Sequence, residues 1–365
     1  MPQLVVSTCG TSILTNQAET TLFRSIVSQS NVTRPSAIID RETRDKIQAH
    51  LAERKAQLAT ASTEEAARLS AEINGIRHLY PQGLDANDKH FLISTGTWLG
   101  SESATIIAQW LERSGSRAQV IPIPDLRTDD IDAFHVGLSE LVKWCGQTLP
   151  SYRAEGWRVI FNLTGGFKSV QGFMQTLSHF YADEAVYVFE SGKELLHLPG
   201  LPVELKLTDT VRNNLAVFRR LANELPVEMT EVPRALETFA FRFRLQGAPR
   251  TMLSAWGELV YRENRERIYK ERLWESPSPL IRYGSELAAG ASILAEEQIK
   301  LINERIDELA VCLELGSCSE QLGLVQLPDR SKYPATHKLN GWAIDKAPYI
   351  YGHYQDQVFI LDSIG

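Results

Sequence analysis

The sequence has little that would tie it to a metal, a membrane or an oxidising compartment. Its four cysteines, Cys9, Cys145, Cys312 and Cys318, form no C-x-x-C pair and have no histidines nearby at metal-ligand spacing. No structural metal and no disulfide are therefore expected, and Cys312 falls in a helical apolar pattern that packing explains. No apolar run approaches the roughly 18 residues of a membrane span, and Met1-Pro2-Gln3 does not open a signal peptide. A cytoplasmic protein with no membrane partner is expected. Positive charge is short as well: the formal net charge of -7 argues against a general nucleic-acid binder and against DNA, so that any RNA contact must be local. Neither G-x-x-x-x-G-K-[ST] nor G-x-G-x-x-G occurs, which argues against a nucleoside triphosphate or dinucleotide site.

What is present is a set of three similar loops in a chain of 365 residues, 43% of them hydrophobic. The most telling is Asn162-Leu163-Thr164-Gly165-Gly166-Phe167-Lys168-Ser169, which follows the apolar run Trp157 to Phe161 and precedes a helical pattern through Phe173 and Leu177. Paired glycines let backbone approach a ligand, a helix start offers unpaired N–H groups, and Lys168 adds a positive charge. Leu4-Val5-Val6 runs in the same way into Ser7-Thr8-Cys9-Gly10-Thr11-Ser12, and Phe91-Leu92-Ile93 into Ser94-Thr95-Gly96-Thr97. The candidate ligand-binding residues are Thr8, Gly10, Thr11, Ser12, Thr95, Gly96, Thr97, Asn162, Thr164, Gly165, Gly166 and Lys168. The plainer alternative is that these are tight turns whose hydroxyls cap helices.

Alternating strand and helix patterns predict an α/β fold with a mainly parallel, three-layer sheet over residues 1–207. Within it, 41–79 is rich in Ala, Glu, Gln, Arg and Leu and reads as one or two inserted helices, a solvated hairpin packed on the sheet. From Val211 to Trp274 the pattern is mainly helical and carries Arg242, Arg244, Arg250, Arg262, Arg265, Arg267 and Arg272. That makes 208–274 a basic helical linker domain, whose arginines either touch RNA or pair with glutamates along a helix. Residues 275–365 read as a small α+β domain: a strand candidate at Leu280 to Tyr283, an amphipathic helix Glu296 to Leu315, then short segments of β character forming an antiparallel meander.

The first and third of those observations carry resemblances. The pair Val6-Ser7-Thr8-Cys9-Gly10-Thr11-Ser12-Ile13-Leu14-Thr15-Asn16 and Asn162-Leu163-Thr164-Gly165-Gly166-Phe167-Lys168-Ser169 resembles the CARF domains of type III CRISPR systems, over roughly the first two hundred residues. The resemblance implies a homodimer of Rossmann-like domains that binds a cyclic oligoadenylate across its two-fold axis. An even ring, cyclic tetra-adenylate, suits that symmetry. In relatives that degrade the ligand, a hydroxyl of the first loop and the lysine of the Gly-Gly loop carry the cleavage, functions that map onto Thr11 or Ser12 and Lys168.

The C-terminal domain resembles RelE-type mRNA interferases in its order of elements and in His337-Lys338-Leu339-Asn340-Gly341-Trp342, followed by Lys346, Tyr349, Tyr351, His353 and Tyr354. The resemblance implies a ribosome partner, an mRNA substrate and no metal or other cofactor. Basic and tyrosine side chains orient the message for attack by its own 2′-hydroxyl, and the positions that suit those roles are Arg330, Lys332, His337, Lys338, Lys346, Tyr351 and His353. Such cleavage requires in-line positioning, a base, and donors for the phosphate and leaving oxygen. Two other readings stand beside this one. Arg330 and His337 have the spacing of a HEPN ribonuclease motif, although Pro334 interrupts a stretch that would have to be helical. The chain could also be a stand-alone sensor or ring nuclease whose C-terminal domain only binds a partner.

Overall fold

The computed structural model describes residues 1–189, 194–245, 247–328, 335–343 and 348–365. The chain divides into two compact units, Met1–Glu204 and Leu205–Gly365. The linker and the C-terminal domain read from the sequence both fall in the second.

Unit 1 begins with β1 (Gln3–Thr8), a single turn α1 (Ser12–Thr15) and α2 (Thr20–Ser28). Three helices follow where one or two were expected: α3 (Arg41–Thr60), α4 (Thr63–Leu69) and α5 (Ala71–Leu79). Capping sets their boundaries. The Asp40 carboxylate accepts from the backbone of Glu42 and Thr43, Ser62 and Glu65 close a capping box, and Ser70 both ends α4 and caps α5. The α/β rhythm resumes with β2 (Lys89–Thr95), α6 (Trp98–Arg113), β3 (Arg117–Ile123), α7 (Ile131–Ala154), β4 (Arg158–Asn162), α8 (Lys168–Tyr181), β5 (Glu184–Val188) and β6 (Leu195–Pro199).

The sheet order is β3-β2-β1-β4-β5-β6, with the first five strands parallel and β6 antiparallel at the edge. Leu4, Val5, Val6, Val159, Ile160 and Phe161 are buried, as parallel strands covered on both faces require. The chain builds outward from β1 through β2 to β3, then returns to place β4 on its other side. Strand order therefore reverses between β1 and β4, and ligands of such sheets bind outside the carboxyl ends of the strands at that point.

One residue of this core has a cost that varies with pH. His90 of β2 is fully buried beside the Tyr80 ring, and neither of its ring nitrogens has a hydrogen-bond partner. Burial lowers its pKa to about 4. The unfolded chain takes up this proton near pH 6.5 while the folded chain resists it, so stability is lost as pH falls from about 6.5 towards 4. The loss attributable to His90 is about 3 kcal/mol at pH 4. Urea denaturation of wild type and His90→Leu across this range should show a weaker pH dependence in the variant; parallel curves would refute the assignment.

Unit 2 starts with α9 (Thr208–Asn213) and α10 (Leu215–Ala222). The expected helical run is then interrupted by an antiparallel hairpin, β7 (Ala240–Leu245) and β8 (Ala248–Leu253), before α11 (Ala255–Glu271). Next come β9 (Ile281–Tyr283), α12 (Ser285–Ala291), which the sequence reading missed, and α13 (Glu296–Leu315), whose bounds match expectation. The meander is β10 (Val325–Gln326), β11 (His337–Asn340), β12 (Tyr349–Gln355) and β13 (Val358–Ile364). The five-stranded sheet runs β10-β11-β12-β13-β9, with β9 parallel to β13 and the other pairs antiparallel.

A buried polar network joins the helices of this unit. Arg219 of α10 is fully buried; it donates to the Asp307 carboxylate of α13 at 2.6 Å and to the backbone oxygens of Asn303 and Glu275. Tyr269 of α11 donates to the other Asp307 oxygen and exchanges a hydrogen bond with Tyr261 at 2.8 Å. Burial first, then the Asp307 charge, push the Tyr269 phenol well above its ordinary pKa, so it stays protonated as the donor.

The expectation of no disulfide is corrected: Cys312 and Cys318 are bonded. Helix α13 ends at Gly316 in the left-handed conformation, φ 69°, which turns the chain back so that Cys318 returns to the helix it has just left. Cys9 and Cys145 are buried free thiols.

Candidate functional site

The loops after β1 and β4 line a cleft of about 980 Å³ at the point where strand order reverses. Two glycines are needed for this approach. A Cβ on Gly165 would sit 2.2 Å from the Glu72 carboxylate, and Gly166 has φ +100° with the Thr8 hydroxyl 2.7 Å from where its Cβ would be. The loops are then tied together. Thr8 Oγ1 donates to the Gly165 carbonyl at 2.6 Å, Asn162 Nδ2 donates to Ser7 Oγ and to the Glu72 carbonyl, and Thr164 Oγ1 accepts from Val188 N–H.

At the centre of these ties is Glu72, fully buried at the start of α5. Its carboxylate accepts from Gly10 N–H at 2.9 Å, Ser12 Oγ at 2.6 Å and Ser70 Oγ at 2.7 Å. Ser12 Oγ also accepts from Ala71 N–H at 3.0 Å. The Ser12 hydroxyl is thus committed to the protein on both sides, whereas Thr11, half-buried on the cleft wall, makes no side-chain bond to cap α1. Of the two hydroxyls left open by the sequence, Thr11 is the one available to a ligand. Cys9 beneath them is unreactive: burial first, and the Glu72 charge second, push its thiol pKa well up.

The cleft has cations, amides and aromatic rings. Lys168, the first residue of α8, is exposed on the lining and has no ion pair among the described residues, and the cap of that helix, Phe167, offers no side-chain acceptor to the first-turn N–H groups. Arg68, exposed at the end of α4, is a second cation on the wall. Asn16, Asn74 and Gln171 add amides, and Tyr187 and Phe189 form an edge-to-face pair at 5.1 Å, Phe189 being 55% exposed. Such a site suits a ligand with several phosphates and planar bases.

The sequence named the two loops but missed Arg68, Glu72, Asn74, Tyr187 and Phe189. The last two carried a signal, since they sit at the end of the strand beside β4. The others lie in the insertion, where polar residues in an Ala- and Glu-rich helix look like a solvated face. The third loop does not line the cleft. Thr95 and Thr97 are buried and bonded to each other at 2.9 Å, Thr97 caps α6, and Gly96 packs on the Pro124 carbonyl. It follows β2, one strand away from the reversal, and serves as the helix-capping turn of the plainer reading.

In unit 2, strand alternation divides the proposed catalytic residues. Lys338, Tyr349, Tyr351 and His353 share one face of the β11-β12 pair. Lys338 Nζ lies 3.7 Å over the Tyr349 ring, Tyr349 and Tyr351 meet edge to face, and His353 Nδ1 is 2.8 Å from the Asp362 carboxylate of β13. His337 points the other way, against Tyr354 and the buried Phe359, and burial lowers its pKa. Being on a strand, it also lacks the helical placement a HEPN motif needs. Arg330, Lys332 and Lys346 lie outside the described residues. Among the described residues, no three His, Cys, Asp or Glu side chains gather as a metal would require, and no helix is long and apolar enough to cross a membrane.

With the cleft defined, the comparison with known families falls on the same part of the fold. Residues 67–201 match the family model described as CRISPR-associated protein (Cas_APE2256). The match indicates a CRISPR-associated protein. It runs from the end of α4 through β6 and takes in Arg68, Glu72 and the Gly-Gly loop, while the first loop lies outside it. No curated protein matches the chain.

Proposed function

We propose that the chain is a ligand-controlled ribonuclease, in which a cyclic oligoadenylate, cyclic tetra-adenylate by preference, bound by a homodimer of unit 1 activates ribosome-dependent cleavage of mRNA by unit 2. The observation that carries the sensor half is the cleft at the β1/β4 reversal, with exposed Lys168 and Arg68 set among amides and the Tyr187-Phe189 pair. The CRISPR-associated match over 67–201, which takes in the cleft residues other than those of the first loop, supports it. Thr11 and Lys168 are the groups left to promote slow cleavage of the ring itself, by aligning a ligand 2′-hydroxyl with its phosphate.

The effector half is supported by the order strand, two helices, meander, with β9 returning beside β13, and by the Lys338, Tyr349, Tyr351 and His353 face. His353 is the proposed general base. Asp362 holds its Nδ1, which leaves Nε2 to take the proton of the attacking 2′-hydroxyl. Lys338 supplies positive charge for the phosphate, and the tyrosines supply ring faces for bases.

Calorimetry with cyclic tetra-adenylate should show Lys168→Ala binding roughly tenfold or more weaker, the effect of removing one charge-assisted phosphate contact of about 1.5 to 3 kcal/mol. Unchanged affinity and unchanged ring products would sink the sensor assignment. Separately, mRNA cleavage with ribosomes and activator should slow about 10²-fold or more in His353→Ala. Asp362→Asn, which removes the carboxylate that holds His353 Nδ1, should slow cleavage as well. Cutting of bare RNA without ribosomes, insensitive to His353→Ala, would reject the effector assignment while leaving the sensor intact.

A further inference from the structure

The arginines that make 208–274 the basic part of the chain fall into two groups. Those on α11 and at its C-cap are engaged: Arg262 pairs with Glu258 at 3.2 Å, Arg265 with Glu304 at 2.6 Å, Arg267 donates to Asn264, and the capping Arg272 stacks 4.0 Å from the Trp274 ring. These are the glutamate-paired helix of the sequence reading. The hairpin is different. Arg242, Arg244 and Arg250 are all exposed, and among the described residues none of them has an ion pair.

The strand register arranges them. Arg242 lies opposite Thr251 and Arg244 opposite Pro249, so both arginines project from one face of the ribbon. On the other face Arg250 lies opposite Phe243, which meets Phe241 at 5.7 Å between ring centroids. Alternating Phe and Arg along β7 therefore gives a two-stranded ribbon with guanidinium groups on both sides and aromatic rings beside one of them.

We propose that the β7-β8 ribbon binds the phosphate backbone of RNA. An acidic chain, with net charge -7, that keeps three exposed arginines together on one hairpin has a local surface complementary to an anion. Arginine rather than lysine at all three positions suits bidentate contact with phosphate, and Phe243 beside Arg250 suits an unstacked base. An acidic protein surface would use the charges but has no use for the ring. The assignment concerns binding alone and does not depend on unit 2 cleaving RNA.

The test uses the full chain and a fluorescent RNA hairpin with single-stranded flanks, titrated at several salt concentrations. Replacing Arg242, Arg244 and Arg250 together by Gln should weaken binding at least tenfold and lower the slope of log K against log salt by about 2 to 3, near 1 per lost phosphate contact. Replacing all three by Lys should keep most of the slope. All three side chains are exposed, so the melting temperature should not change, and circular dichroism checks this. An unaltered slope in the Gln variant would overturn the proposal. So would polyglutamate displacing the ribbon-bound RNA at equal charge concentration, which would assign the ribbon to an acidic protein.

Discussion

Asp307→Ala should destabilise unit 2 by about 3 to 5 kcal/mol, the usual result of removing one partner from a buried ion pair. The variant leaves the Arg219 guanidinium fully buried with backbone oxygens and the Tyr269 ring to face but no counter-charge at Asp307, and takes away the carboxylate that accepts from the Tyr269 hydroxyl. Chemical denaturation of the full chain, followed by tryptophan fluorescence, should show the unit 2 transition moving to lower denaturant while that of unit 1 stays in place. Changing both partners, Arg219→Met with Asp307→Leu, should recover much of the loss, because no uncompensated charge remains. A double variant as unstable as the single one would mean that the helices depend on the bridge for geometry rather than for charge balance.

The second large effect is expected at Glu72. Glu72→Ala orphans three donors, Gly10 N–H and the hydroxyls of Ser12 and Ser70, of which Gly10 and Ser70 are buried and Ser12 is half-buried on the cleft wall. At roughly 1 to 3 kcal/mol for each unsatisfied group, a loss of about 3 kcal/mol or more is expected for unit 1, together with loss of cyclic oligoadenylate binding. Two effects compete here, since removing a negative charge near an anion site also favours the ligand electrostatically. Glu72→Gln separates them, keeping the side chain's shape without its charge. If position matters most, Gln should bind more weakly than wild type despite reduced repulsion. Tighter binding by a folded Gln variant would show that Glu72 opposes the ligand.

Much of this was legible in the sequence wherever local chemistry and fold agree. Gly165-Gly166-Phe167-Lys168 announced a strand-to-helix turn because few other residues could pass so close to Glu72 and Thr8. The α13 bounds were clear from its apolar spacing alone. What escaped depended on partners distant in sequence. Glu72 is one acidic residue in a polar helical stretch, and only the folded sheet places it beneath Gly10 and Gly165. Phe241-Arg242-Phe243-Arg244 has the period of a strand, but between two helical segments its arginines read as part of a helix. Cys312 lies in an apolar helical pattern, and the reversal at Gly316 that brings Cys318 to it is a matter of backbone geometry. His337 and Lys338 are neighbours in the sequence and for that same reason face opposite sides of a sheet.

The Arg219–Asp307 bridge also limits how this protein can be recombined. A composition boundary at Glu275-Ser276-Pro277-Ser278-Pro279 invites a fusion joint there, transplanting 275–365 as a cassette behind another sensor. Such a chimera would part Arg219 and Tyr269 from Asp307, and Arg220 from Glu314, leaving buried charge on both fragments. Leu225 would also be taken from the apolar cluster it shares with Ile281, Ile306 and Phe359. A graft that carries everything from Leu205 onward keeps these partners together, so the smallest exchangeable module is the whole of 205–365.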